Sequence, residues 1–193
     1  MTGDLLSTLD RSFTYAEHVL VGTTDDVRHV PTPCAEYDLT DLIIHLITGT
    51  HWYAVIPEQG VGDPSAVEEM DLEGRDLAAP FRAEADLARR SWTADQLPRV
   101  FPTPFGPMSG EHLTGFEIME LVVHGTDVAL ATGQELRPDD DLVERALATA
   151  TALGEGLRSP KMMGPAVPVP DDAPVLDRLL GLLGRDPAWT PRP

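Results

Sequence analysis

Hydrophobic positions recur by threes and fours along most of this chain, a spacing that predicts helices joined by proline- and glycine-rich connections. Residues 4–21 carry Leu5, Leu6, Leu9, Phe13, Ala16 and Leu20 on one face of a first helix. Pro31 and Pro33 bias the residues before them away from helix, so 29–37 reads as a linker. Asp38 then suits an N-cap, and 39–55 reads as a second helix with Leu39, Leu42, Ile43, Leu46 and Ile47 inward and Pro57 as its stop. A loop over 59–70 leads to a third helix over 72–94, with a break expected near Pro80. Residues 97–109 are rich in proline and form an irregular connection, in which Arg99-Val-Phe101 allows a short strand pairing. A fourth helix runs over 110–132 and stops at Gly133. A fifth, over 139–157, opens on an aspartate run that suits a helix N-terminus. Residues 162–170 read as an extended, proline-rich tail. A short helix follows over 171–183, capped by Asp171 or Asp172 and with Pro174 in its first turn.

Long helices, short links and no clear sheet give an all-α bundle as the expected architecture. The length, 193 residues, fits one domain, with the core bundle at about 4–157 and an extension over 158–193. No internal repeat or low-complexity tract interrupts it.

The fourth helix is the informative element. Phe116, Ile118, Met119, Leu121, Val122 and Val123 leave little of its circumference polar, which predicts burial nearly all round. Glu117, Glu120, His124 and Asp127 interrupt it, and at about 100° per residue they share an arc of roughly 80°. Ionised carboxylates are costly to bury unless paired or bound to a cation. Glu120 and His124 are four residues apart, so both side chains reach one point along the helix. A carboxylate oxygen with an imidazole nitrogen suits zinc, and also nickel, iron or manganese. A third ligand must come from another helix. His45 is the best candidate, mid-helix in Leu42-Ile-Ile-His-Leu-Ile47 beside an inward row. The competing reading is a buried His–Glu pair that holds two helices in register. His18, His29, His51 and His112 are expected to have surface or capping roles.

Charge and cysteine content narrow the partners. With 32 acidic against 14 basic residues the net charge is −18, and no Lys/Arg cluster offers a phosphate backbone or an anionic lipid surface a place to dock. Nucleic acid and membrane are therefore not expected partners. No run approaches the ~20 apolar residues of a membrane span, and no secretory signal opens the chain, so a cytoplasmic location is expected. A single cysteine, Cys34, rules out an internal disulfide and a Cys-rich zinc site, and reads as a small buried hydrophobe near a helix start.

Two segments carry a resemblance. Pro31-Thr-Pro-Cys-Ala-Glu-Tyr-Asp-Leu39, followed by Asp41-Leu-Ile-Ile-His-Leu46, resembles the opening of the mycothiol-dependent maleylpyruvate isomerase N-terminal domain family. Glu120-Leu-Val-Val-His-Gly-Thr-Asp-Val-Ala-Leu-Ala-Thr-Gly-Gln134 is similar to its second signature. The closing run, Pro168 to Leu180 with Gly184-Arg-Asp-Pro-Ala-Trp189, resembles a short actinobacterial branch. The resemblance implies a DinB/YfiT-like four-helix bundle, in this chain with extra C-terminal helices. It implies one zinc held by a second-helix histidine and by the Glu and His of E-x-x-x-H, positions that match His45, Glu120 and His124. The family often has Trp where this chain has Tyr37 and Thr126, which alters the expected pocket. The chain also lacks room for the isomerase's second domain, so activity on maleylpyruvate is not implied.

Three protein ligands would leave a fourth position open, as in catalytic zinc sites. The resemblance implies a low-molecular-weight thiol such as mycothiol, activated for S-transfer to a small electrophile or for its isomerisation. Asp127 would then orient His124 or a helix end, and Glu117 is a candidate for a similar part. A metal-water hydrolase is the alternative enzyme. A non-catalytic metal- or ligand-binding bundle is the reading from another class. A ligand-sized cavity opening onto the metal would favour an enzyme, and a fourth protein ligand without a cavity would favour the bundle. Relatives of this architecture often pair, which leaves room for a homodimer.

Overall fold

The computed structural model describes residues 2–23, 29–63, 76–154 and 164–191. Its order is α1 (Thr2–Val21), α2 (Leu39–Gln59), α3 (Ala78–Ser91), β1 (Val100–Phe101), β2 (Met108–Ser109), α4 (Gly110–Ala131), α5 (Asp140–Leu153) and α6 (Val175–Leu182). The architecture is all-α, of the DinB-like kind, with one two-stranded antiparallel pairing. In that pairing Val100 faces Ser109 and Phe101 faces Met108. No helix among the described residues is long and apolar enough to cross a membrane.

α4 is the centre of the bundle. It packs on α1, α2 and α5, and 17 of its 22 residues are buried. Ser109 caps it by accepting from the backbone N–H of His112, and Gly133, at φ 68°, follows its end. Its close approach to α1 depends on Gly125, where a Cβ would lie 2.7 Å from the Tyr15 ring. The fully buried Phe13, Leu39, Ile43, Ile47, Leu113 and Ile118 fill the space between these helices. Each such side chain contributes roughly 1.5–3 kcal/mol of transfer free energy.

Asp38 caps α2 as expected, accepting from Asp41 N–H at 2.9 Å, while His29 bonds the same carboxylate at 3.0 Å. Pro57 does not stop this helix. α2 continues to Gln59 and ends at Gly60 in the left-handed region, φ 73°. Pro57 has no N–H to offer the carbonyl of Tyr53, one turn back. The indole N–H of Trp92 takes that place, donating to the Tyr53 carbonyl at 3.0 Å. The missing helical bond is thus replaced from α3's C-terminal end.

The other boundaries shift for local reasons. The expected start of the third helix at 72 lies outside the described residues. Pro80 causes no break, because it falls in the first turn of α3, where its missing N–H has no helical acceptor. The end of the fifth helix at 157 also lies outside the described residues. α6 is shorter than expected, and neither Asp171 nor Asp172 caps it. A turn closed by Ala173 N–H to Pro170 O leaves both before the helix, and Pro174 takes the N-cap place. The extended segment before it runs against α6, where Val167 N–H donates to Gly181 O at 2.9 Å. Trp189 packs half-buried against the core, which helps dock the C-terminal segment on the bundle.

Candidate metal centre

α2 and α4 bring His45, Glu120 and His124 together. His45 sits beside the buried row of Leu42 and Leu46, and turns its Nε2 to α4. Glu120 and His124 project from successive turns of α4. Glu120 Oε2 lies 3.3 Å from His45 Nε2 and 3.3 Å from His124 Nε2. All three donor atoms lie within 4.8 Å of one another. The two imidazole rings meet edge to face, at 4.9 Å between centroids and 85° between planes.

These distances accommodate two readings of the cluster. At 3.3 Å each histidine is within hydrogen-bond reach of Glu120, as at the 3.2 Å contact between His124 and Asp127. Ligands about 2.0–2.1 Å from a tetrahedral ion lie about 3.3–3.4 Å from each other. The same spacing therefore leaves room for an ion between the three donors. The donor set, two imidazole nitrogens and one carboxylate oxygen, also suits zinc. The residues therefore fit a divalent ion.

Support comes from the far side of His124. Its Nδ1 lies 3.2 Å from Asp127 Oδ2, and a hydrogen bond donated there leaves the Nε2 lone pair for the site. Asp127 in turn accepts from Arg185 Nη2 at 3.0 Å. The Asp127 side chain is 0% exposed and that of Arg185 9%, so this is a buried ion pair. Burial alone would raise the Asp127 carboxyl, but the charge of Arg185 and the bond to His124 hold it below its usual value. Burial would lower His124, yet its bonds to Asp127 and Glu120 raise it to about 9 when no metal competes. Burial would likewise raise Glu120, and the two histidines hold it far below the carboxylate range.

A cavity of about 460 Å³ opens against His45, Glu120 and His124. Its walls include Leu46, Trp52, Tyr53, Phe116 and Met119, and Cys34, Tyr37 and Arg185 also line it. The Tyr37 ring stacks on His45 at 5.2 Å and 22°. Cys34 forms a second close group with His124 and Asp127, on the side of His124 away from Glu120. Burial pushes its thiol above the usual value. Cys34 is part-buried and packs against the core, in keeping with the small hydrophobe near a helix start read from sequence.

Glu117 does not orient His124. It is 1% exposed, and neither carboxyl oxygen has a hydrogen-bond partner among the described residues. Burial raises its pKa well above the ordinary value, which favours the uncharged acid over the carboxylate.

The sequence profile of the mycothiol maleylpyruvate isomerase N-terminal domain matches residues 11–129, a span that contains all three candidate ligands. The chain belongs to this family. It is also 30% identical, over 158 residues, to uncharacterized proteins from two strains of Mycobacterium tuberculosis, CDC 1551 / Oshkosh and H37Rv. Each match covers 80% of this chain and 83% of the relative. No solved structure gives a significant match.

The maleylpyruvate isomerase domain match ends at residue 129, whereas Arg185 lies beyond it. Sequence reasoning missed Arg185. One signal was present: an aspartate on a helix that is apolar nearly all round calls for a cation, and the chain has only 14 lysines and arginines. Of the two departures from the family's residues, Tyr37 faces the cavity. Thr126 points elsewhere, 3.2 Å from the Tyr15 hydroxyl and bonded to Val122 O. The remaining histidines stand apart from the centre. His18 is exposed, His29 bonds Asp38, His51 bonds Glu84 at 2.7 Å, and His112 bonds Ser109 at 2.9 Å.

Proposed function

We propose that this protein is a metal-dependent enzyme that activates a low-molecular-weight thiol, of the mycothiol kind, for S-transfer to a small electrophile or for its isomerisation. The observation that carries the reading is the His45–Glu120–His124 donor triangle standing in the wall of a ligand-sized cavity. A divalent ion held there, zinc by preference, supplies Lewis acidity that lowers the pKa of a thiol or a water.

The chain's own residues do the rest. Asp127 keeps the Nδ1 proton on His124 and fixes the ring's orientation, and Arg185 keeps Asp127 ionised. Tyr37 fixes the His45 ring by stacking. The apolar walls beside these groups lower the local dielectric, which strengthens each charge interaction inside. Family membership supports the choice of a thiol over water. The reading goes with a cytoplasmic protein, where small thiols stay reduced.

Cobalt substitution tests it. Addition of mycothiol or N-acetylcysteine to the cobalt protein is expected to produce a thiolate-to-cobalt absorption band that saturates at one thiol per chain. Bound cobalt with no such band would overturn the thiol assignment and favour a metal-water hydrolase or a structural ion.

A further inference from the structure

Two residues that line the same cavity from facing helices carry buried polar groups without partners among the described residues. One is the Glu117 carboxyl on α4, with both oxygens unbonded, and the other is the indole N–H of Trp52 on α2. Buried polar groups are nearly always hydrogen-bonded, so an orphaned pair in a cavity wall points to a ligand that completes them. We propose that Glu117 and Trp52 form a subsite for an uncharged amide group on the small molecule that occupies the cavity.

The chemistry of the pair selects the amide. No side chain bonds Glu117 among the described residues, and burial in an apolar wall favours its protonated carboxyl, which presents one O–H donor and one C=O acceptor. An amide presents an acceptor carbonyl that can take the Glu117 O–H without burying charge, and in a primary amide an N–H on the same edge can also return a bond to the Glu117 C=O. The Trp52 N–H supplies a second donor for the same carbonyl oxygen, which has two lone pairs. Away from the metal ligands a carboxylate on the ligand would find no free cation among the described cavity residues, since Arg185 is already paired with Asp127. An ammonium group would have to ionise Glu117 in an apolar wall.

Position adds a length. Glu117 precedes Glu120 by three residues, a rise of about 4.5 Å along α4. A thiol whose sulfur reaches the metal ligands and whose amide reaches Glu117 therefore carries a short linker between them. The assignment deepens the thiol reading and rests on it only for the sulfur end of the ligand.

The test uses the zinc-loaded full chain and three probes: N-acetylcysteamine, its S-methyl thioether, and 4-methylpentane-1-thiol, in which the amide is replaced by alkyl. The Trp52 indole N–H resonance in nitrogen-15-labelled protein reports the subsite. Both amide probes are expected to shift it saturably, and N-acetylcysteamine is expected to bind about tenfold tighter than the alkyl thiol. Glu117→Gln, which keeps a donor and an acceptor, is expected to stay within about threefold of the parent. Glu117→Met is expected to lose about tenfold for the amide probes and nothing for the alkyl thiol. Equal binding of the amide and alkyl thiols, or unchanged amide binding by Glu117→Met, would overturn the proposal. So would tighter binding of cysteamine that is lost in Glu117→Gln, which would mark a cation site. The thioether has no thiol to ionise. A Trp52 shift with it, together with no thiolate-to-cobalt band when N-acetylcysteamine is added to the cobalt protein, would keep the subsite and sink the thiol reading, whereas a band without any Trp52 shift would do the opposite.

Discussion

In the zinc-loaded protein, where His124 is a neutral ligand, replacing Arg185 by methionine removes the cation paired with Asp127 and leaves its carboxylate buried with the His124 ring as its one partner among the described residues. Removing one member of a buried ion pair costs about 3–5 kcal/mol, because the remaining charge is uncompensated. For 193 residues the unfolding entropy is about 0.4 kcal/mol/K, so Arg185→Met is expected to lower Tm by roughly 8–12 °C. Part of the loss comes from the bond that Arg185 Nη1 donates to Leu183 O at 2.9 Å. The double variant Asp127→Asn/Arg185→Met removes both charges, and its asparagine still accepts from His124. It is expected to recover about 2–3 kcal/mol of the single variant's loss. Urea unfolding of the four proteins in the cycle gives the coupling. A single-variant loss below about 1 kcal/mol, or a double variant no more stable than Arg185→Met, would refute a charged, paired Asp127. Metal affinity gives a second reading of the same contact. Asp127→Asn weakens the acceptor behind His124 and should cost about 10–100-fold in zinc affinity.

Three more outcomes follow from particular contacts. His124 in the metal-free protein is raised from 6.5 to about 9, so its contribution is fully present below pH 6.5 and lost as pH rises through 9; thermal melts of metal-free protein should show roughly 3 kcal/mol less stability at the alkaline end. A melting temperature flat across that window would contradict the buried, paired imidazolium. Glu117→Met replaces an unpartnered buried carboxyl by an apolar group of similar size, and is expected to leave stability unchanged or raise it by about 1–2 kcal/mol in urea unfolding. A clear loss would reveal a native partner. Gly125→Ala adds a Cβ 2.7 Å from the Tyr15 ring; the crowding outweighs the helix-propensity gain of about 1 kcal/mol, so a net loss of about 1–2 kcal/mol is expected. A gain in stability would mean that α1 and α4 separate freely.

The strongest sequence signal lay in α4, whose apolar residues reach round the helix and leave one polar arc. That pattern predicted both its burial and the pairing of Glu120 with His124. The arc itself was ambiguous, since spacing cannot say what each polar group meets. In the folded chain Glu120 and His124 meet His45, Asp127 meets Arg185 behind His124, and Glu117 faces the cavity without a partner. Arg185 was not legible because its contact spans 58 residues and depends on how the C-terminal segment docks. Pro57 misled for the same reason: a proline ends a helix unless something distant satisfies the freed carbonyl, and Trp92 does so from 39 residues away. Local propensity also favoured Asp171 or Asp172 as a cap, but the turn at Pro170–Ala173 sets the helix start instead.

The central claim is that His45, Glu120 and His124 hold one metal with a position open to a thiol. Zinc K-edge X-ray absorption on the purified protein, before and after addition of mycothiol, tests it most directly. The account predicts nitrogen and oxygen neighbours at about 2.0–2.1 Å in the first spectrum, with one sulfur at about 2.3 Å appearing in the second. A sulfur neighbour already present without added thiol would bring Cys34 into the coordination shell and close the site. No change on adding thiol would contradict the proposed function outright.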